Sequence, residues 1–292
     1  MRISLIDIDS KISNLALMKL SAYHKNKGDV VGLNLKNPDK IYTSIVFRKN
    51  KNKAKNQTLF NIKKEFGGSG YDIKKKLPDK IELLKPDYDL YPSEYSQGFT
   101  TRGCIRNCYF CNIREKEGKF KIWQHPKEFY DDRFNSIMLM DNNILANKNW
   151  FIKVAKWLID QDLILLENGL DIRLVDEEVL KYLTKLKIKI LHFAFDFTKL
   201  EPIIREKIKL LQDWGIDTKN KTDFYVYCHS DEAFNDALYR INVLRSLNTS
   251  AFFMYNCDNK KTRRILDLSK WCNRKMLYWK IPFEEYNRGL HK

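Results

Sequence analysis

Short apolar blocks alternate along this chain with longer stretches whose apolar positions recur three and four residues apart. The first block, RISLIDI, places Ile3, Leu5, Ile6 and Ile8 in a strand-like run. Ser13 or Asn14 is positioned to cap the helix that follows, LALMKLSAYHKNKG, with Leu15, Met18 and Ala22 on one face and Gly28 as its stop. GDVVGLNL and KIYTSIVF read as further strands, FGGSGYD as a tight turn, and Pro78, Pro86 and Pro92 punctuate the connection onward. These signals predict a small Rossmann-like α/β domain over 1–95. From 96 to 292 the pattern becomes strand, helix, strand. Expected strands are Gly98 to Thr101, Ser136 to Met140, Leu163 to Leu166, Lys189 to Phe195, Asp223 to Cys228 and Ser250 to Tyr255. Amphipathic segments such as WFIKVAKWLIDQ, EEVLKYLTKL, EPIIREKIKLLQDWG and DEAFNDALYRINVLRSL lie between them. Alternation of this kind favours a parallel sheet with right-handed crossovers. Six units fall short of a closed eight-stranded barrel, so the expectation is a partial (β/α)6 TIM-like barrel. Its chemistry would sit at the C-terminal strand ends.

Hydrophobic residues make up 43% of the chain, enough for a packed core and too many for a disordered segment. No apolar run is long enough to cross a bilayer, and the start carries acidic residues with no small-residue cleavage site, so the expected location is cytoplasmic. The net charge of +16 admits a polyanionic partner such as a nucleic acid. The basic residues are mostly Lys, however, and the densest run, RKNKNKAKNQ at 48–57, reads as a solvated, mobile loop.

The six cysteines change the picture more than the charge does. A reducing compartment disfavours a disulfide framework and favours metal ligation or catalysis for clustered cysteines. Cys104, Cys108 and Cys111 form a Cys-x3-Cys-x2-Cys loop directly after the first expected barrel strand. Three thiolates on one short loop can hold three corners of an iron–sulfur cubane and leave one iron open for a ligand. A Cys3His zinc site with His125 as fourth ligand is the competing use of the same donors, within a non-catalytic nucleic-acid-binding module.

With Phe110 before the last cysteine, the loop resembles the signature of the radical S-adenosylmethionine (SAM) superfamily. The resemblance implies a 4Fe-4S cluster whose open iron takes the amino and carboxylate groups of SAM. It also implies reductive cleavage of SAM to a 5′-deoxyadenosyl radical, hydrogen abstraction from a substrate, and a flavodoxin- or ferredoxin-like electron donor. Asp141, Asn142 and Asn143 stand where such enzymes often carry a Gly-Gly-Glu-like motif that receives the SAM amino group; helix capping is an equal use for the asparagines. Asn168-Gly169-Leu170-Asp171-Ile172-Arg173 resembles stretches of radical SAM proteins fused to cobalamin-binding-type domains. It implies pairing of Arg173 with the SAM carboxylate and of Asp171 or Asn168 with the ribose. Asp196 falls at the end of the fourth strand, and Arg240, Met254 and Tyr255 match the family's SAM-pocket and adenine-contact positions. His192 reads as a wall residue, and Cys228 as either a substrate-specific feature or an inert thiol. The tail DLSKWCNRKMLYWKIPFEEYNRG resembles that of small radical SAM proteins.

Absences narrow the subfamily. Residues 1–103 hold no cysteine, which argues against the second cysteine trio of methylthiotransferases, and Cys228, Cys257 and Cys272 are scattered singly. The N-terminal domain resembles a cobalamin-binding domain in position and in its Gly-Gly-x-Gly turn, but it lacks the Asp-x-His-x-x-Gly pattern that ligates cobalt. A nucleic-acid-modifying radical SAM enzyme, docking phosphates on the basic loop at 48–55, is the further alternative.

Overall fold

A computed structural model describes residues 1–55, 62–256 and 262–290. It shows an α/β protein with parallel sheets and, among the described residues, ten α-helices. The chain divides into two compact units, Met1–Asn142 and Asn143–Lys292. The first therefore contains both the expected 1–95 segment and the cysteine loop that follows.

In the first unit, strands β1 (Arg2–Asp7), β2 (Val30–Leu33), β3 (Lys40–Ser44) and β4 (Lys63–Gly67) form a parallel sheet in the order β2-β1-β3-β4. Helix α1 (Leu15–Lys25) follows β1, and its N-terminus is capped by Asn14, whose side chain accepts from Leu17 N. The helix ends at Lys25, three residues before Gly28, which lies in the turn beyond. Leu17 and Leu20 bury against Ile3 and Leu5 of β1 and Ile81 of helix α3 (Asp79–Glu82), so an apolar helix face covers the sheet. Strand order reverses between β1 and β3, which leaves a crevice at the C-terminal strand ends.

The structure departs from the sequence pattern in two places. The basic run at 48–57 is not a loop: Arg48–Asn50 form a 3₁₀ turn and Lys51–Lys55 helix α2, while residues 56 and 57 lie outside the described residues. The carboxylate of Asp9 accepts from the main-chain N–H groups of Val46 and Phe47 and from the Asn50 side chain, which pins the entry to this helix. The strand expected at Gly98 to Thr101 is instead two: β5 (Ser96–Gly98) and β6 (Thr101–Arg102). β5 pairs in parallel with β8 (Ser136–Leu139), while β6 turns into a short antiparallel pair with β7 (Lys121–Ile122). Helix α4 (Ile113–Glu117) fills the connection between β6 and β7.

In the second unit, helix α5 (Lys148–Leu158) precedes strand β9 (Leu163–Leu166), and α6 (Glu177–Leu183) follows. Strands β10 (Leu191–Ala194), β11 (Thr222–Cys228) and β12 (Ala251–Tyr255) form a parallel sheet in that order. Helix α7 (Glu201–Asp213) joins β10 to β11, and α8 (Phe234–Ser246) joins β11 to β12. Helices α9 (Arg263–Cys272) and α10 (Lys275–Lys280) complete the unit. Side chains alternate across this sheet as a pleat requires. Phe193, Phe224, Val226 and Phe253 are buried, as are Ile204 and Ile208 of α7, Ile241 of α8 and Leu268 of α9. His192, Tyr225 and Phe252 share the other, more open face, where His192 and Tyr225 stack with ring centroids 5.1 Å apart. No helix among the described residues is long and apolar enough to cross a membrane.

Candidate functional site

The cysteine loop begins where the backbone has least freedom. Gly103 has φ +72°, and a Cβ there would lie 2.6 Å from the carbonyl oxygen of Gly118 and collide with that of Lys119. Only glycine fits this left-handed, crowded position. Its N–H donates to Glu117 Oε2 at 3.0 Å. The same carboxylate accepts from Asn142 Nδ2 at 2.9 Å and lies 3.5 Å from the Arg102 guanidinium. One buried acid thus ties the residue before Cys104 to the end of β8. Cys104 is further held by Arg114, which donates to its carbonyl oxygen at 3.0 Å, and by its own N–H to Gly118 O.

Cys104 and Cys108 are half-buried and Cys111 is exposed. The Arg106 N–H donates to Cys104 Sγ at 3.3 Å, and the Cys111 N–H donates to Cys108 O at 3.0 Å. Phe110 packs edge-on against Tyr109. The donor chemistry, three thiols on one eight-residue segment, fits thiolate ligation of an iron–sulfur cluster. Among the described residues, no three His, Cys, Asp or Glu side chains are gathered as a metal-holding group, so convergence of the three sulfurs is not seen. His125 Nδ1 accepts from Lys127 N and caps a 3₁₀ turn at Pro126–Glu128.

Asp141, two residues beyond β8, is buried. It accepts from Thr100 N at 3.0 Å, Thr100 Oγ1 at 2.7 Å and Thr101 Oγ1 at 2.5 Å, which fastens β8 to the link between β5 and β6. Burial raises its pKa, and the hydrogen bonds from the two threonines work against that rise.

The remaining candidates belong to the second unit. The side-chain Oδ1 of Asn143 accepts from Asp171 N at 3.4 Å, and Asp171 holds Arg173 through two bonds, Nε to Oδ1 at 2.6 Å and Nη2 to Oδ2 at 2.9 Å. Asn143, Asp171 and Arg173 are therefore brought together, whereas Asn168 is exposed on the turn before them. Asp196 lies just past the end of β10 and accepts from Tyr227 N; burial raises its pKa against the lowering effect of Arg240 and Arg173. Arg240 is fully buried and donates to Asp236 and to the carbonyl oxygens of Phe195 and Tyr227, so it clamps the ends of β10 and β11. Met254 and Tyr255 are half-buried at the end of β12. Cys228 lies on the buried face of β11, 1% exposed, where desolvation pushes its thiol pKa up. Cys257 lies outside the described residues.

The structure adds residues that the sequence did not single out. Glu117 is one. Lys19 is another: it is 2% exposed on α1, donates to the carbonyl oxygen of Glu82, and burial lowers its pKa to about 8. Arg102 bridges Glu82 and Glu117. In comparison with known proteins, no family model matches the chain and no curated protein matches it.

Proposed function

We propose that this chain is a radical SAM enzyme whose cluster is bound by Cys104, Cys108 and Cys111. The observation that carries the reading is the loop itself: three cysteines in Cys-x3-Cys-x2-Cys spacing on a segment whose base is fixed by Gly103 and Glu117. When bound, a 4Fe-4S cluster with SAM would supply one-electron cleavage of the sulfonium and a deoxyadenosyl radical for hydrogen abstraction. The chain's own residues bind, orient and shield. Cys104, Cys108 and Cys111 are the thiolate donors, and Phe110 shields the loop. Asn143 and the Asp171–Arg173 pair offer hydrogen-bond acceptors and a guanidinium to the amino acid and ribose groups of SAM. Asp196 supplies a further acceptor at a strand end. In this reading the strand–helix alternation forms a partial (β/α)6 barrel, and a flavodoxin- or ferredoxin-like protein delivers the electron.

The test is anaerobic reconstitution with iron and sulfide. About four irons per chain and release of 5′-deoxyadenosine from SAM on reduction are expected. Serine in place of any one of the three cysteines abolishes both. A fully iron-loaded protein that leaves SAM intact refutes the proposal, and zinc in place of iron in the purified protein supports the zinc-module reading instead.

A further inference from the structure

The first unit contains a cavity of about 740 Å³ at the C-terminal ends of β1, β3 and β4. That is within the usual range for small-molecule sites. Its walls are largely apolar and aromatic, with Leu15, Phe66, Phe99 and Met140 among them. At one end stands a group of five charged side chains: Lys19, Glu82, Arg102, Lys116 and Glu117. Arg102 lies 3.4 Å from Glu82 and 3.5 Å from Glu117, so one guanidinium serves two carboxylates. Lys19 is spent on a main-chain carbonyl. The remaining carboxylate of the lining, Glu65, is paired with Lys40 at 2.6 Å.

Lys116 is left over. It is half-buried, and among the described residues its ammonium group has no hydrogen-bond or ion-pair partner. Desolvation lowers its pKa, against the raising effect of Glu117 and Glu82. Three cations and two carboxylates leave this end of the cavity one positive charge in excess. Across the whole lining, Lys and Arg outnumber Glu by seven to three. An uncompensated cation beside apolar walls costs free energy that an incoming anion with an apolar body would offset twice, by pairing with the charge and by covering the wall.

We propose that this cavity binds a small amphipathic carboxylate, its apolar chain or ring against the aromatic wall and its carboxylate on Lys116. The site stands whether or not a cluster occupies the cysteine loop. Because Glu117 and Arg102 belong both to its polar end and to the base of that loop, a bound anion also braces the residue before Cys104.

Calorimetric titration of the full-length protein with decanoate, with decan-1-ol as the uncharged control, tests the assignment. Decanoate saturates at one per chain and binds at least about tenfold more tightly than decan-1-ol, the scale of one partly desolvated charge pair. Lys116→Met removes that preference while leaving decan-1-ol binding in place, and Lys116→Arg keeps it. Equal affinity for the acid and the alcohol, absence of saturable decanoate binding, or an unchanged preference in Lys116→Met overturns the proposal. No SAM, iron or reductant enters the measurement, so its outcome is separate from that of the cluster test.

Discussion

Removing the Glu117 carboxylate isolates what it does for the cysteine loop. In Glu117→Ala the buried Gly103 N–H loses its acceptor at 3.0 Å, and the Asn142 amide loses its own at 2.9 Å. A buried donor left unsatisfied costs about 1–3 kcal/mol. Asn142 is half-buried and can turn to water, which adds about 1 kcal/mol or less. Arg102 keeps Glu82 at 3.4 Å but faces Lys116 and Lys19 with one carboxylate fewer. The expected local cost is about 2–4 kcal/mol. Glu117→Gln keeps an oxygen for Gly103 and Asn142 and loses only the charge assistance, about 1 kcal/mol. The loss is local, so the informative assay is hydrogen exchange by mass spectrometry on peptides covering 101–118. Protection at Gly103 falls by roughly 30- to 1,000-fold in the alanine variant and by about 5-fold in the glutamine variant, from 1.4 kcal/mol per factor of ten. Equal protection in wild type and Glu117→Ala would show that the loop base is held by something other than this carboxylate.

Two further predictions concern the same region. Lys19 titrates near 8 in the folded protein against an ordinary 10.5. Below about pH 8 both states are protonated and the burial penalty is full; between about 8 and 10.5 the unfolded chain binds more protons, so stability rises with pH. The gain is about 3 kcal/mol at most, and Lys19→Met abolishes it; parallel urea-denaturation profiles for wild type and variant across that window rule the account out. Gly103→Ala forces a Cβ against two carbonyl oxygens at a left-handed position. It is expected to cost about 3 kcal/mol or more and to lower iron retention after reconstitution, whereas Gly28→Ala, with open space around the same Cβ, costs about 1 kcal/mol; equal melting temperatures for the two variants would count against the steric argument.

What the sequence made legible follows from where the signal is local. β1, β3, β8 and β10 to β12 are runs of apolar and β-branched residues, and the apolar spacing of α5, α7 and α8 marks their buried faces, so tertiary context agrees with local preference. β4, KKEFG, carries three charges in five residues, and its last two, Phe66 and Gly67, fall within the stretch FGGSGYD expected to be a turn. It becomes a strand because β3 offers an unpaired edge to it and because none of its side chains must be fully buried. β6 and β7 are two residues each, below the length at which alternation can be seen. Asp9 shows the same limit for the basic run: its carboxylate, some forty residues away in sequence, supplies the acceptors that start the helix.

The site divides along the same line. The cysteine trio is legible because its spacing is its chemistry, and three donors on eight residues need no tertiary argument to be singled out. Positions 19, 82, 102, 116 and 117 are not. Each is a lone charged residue with no motif around it that names a partner, and only the fold brings the five to one end of a cavity, with Lys19 and Glu117 buried and the others half-buried. Burial turns ordinary surface residues into a charge cluster with one cation in excess. Their clustering also suits a glutamate at 117: an aspartate, one methylene shorter, would have to reach the Gly103 N–H, Asn142 and Arg102 from further back along α4. The base of the cysteine loop and the polar end of the cavity are thus one electrostatic unit. A change of charge at either is felt by both, and that coupling is what a search confined to sequence motifs passes over.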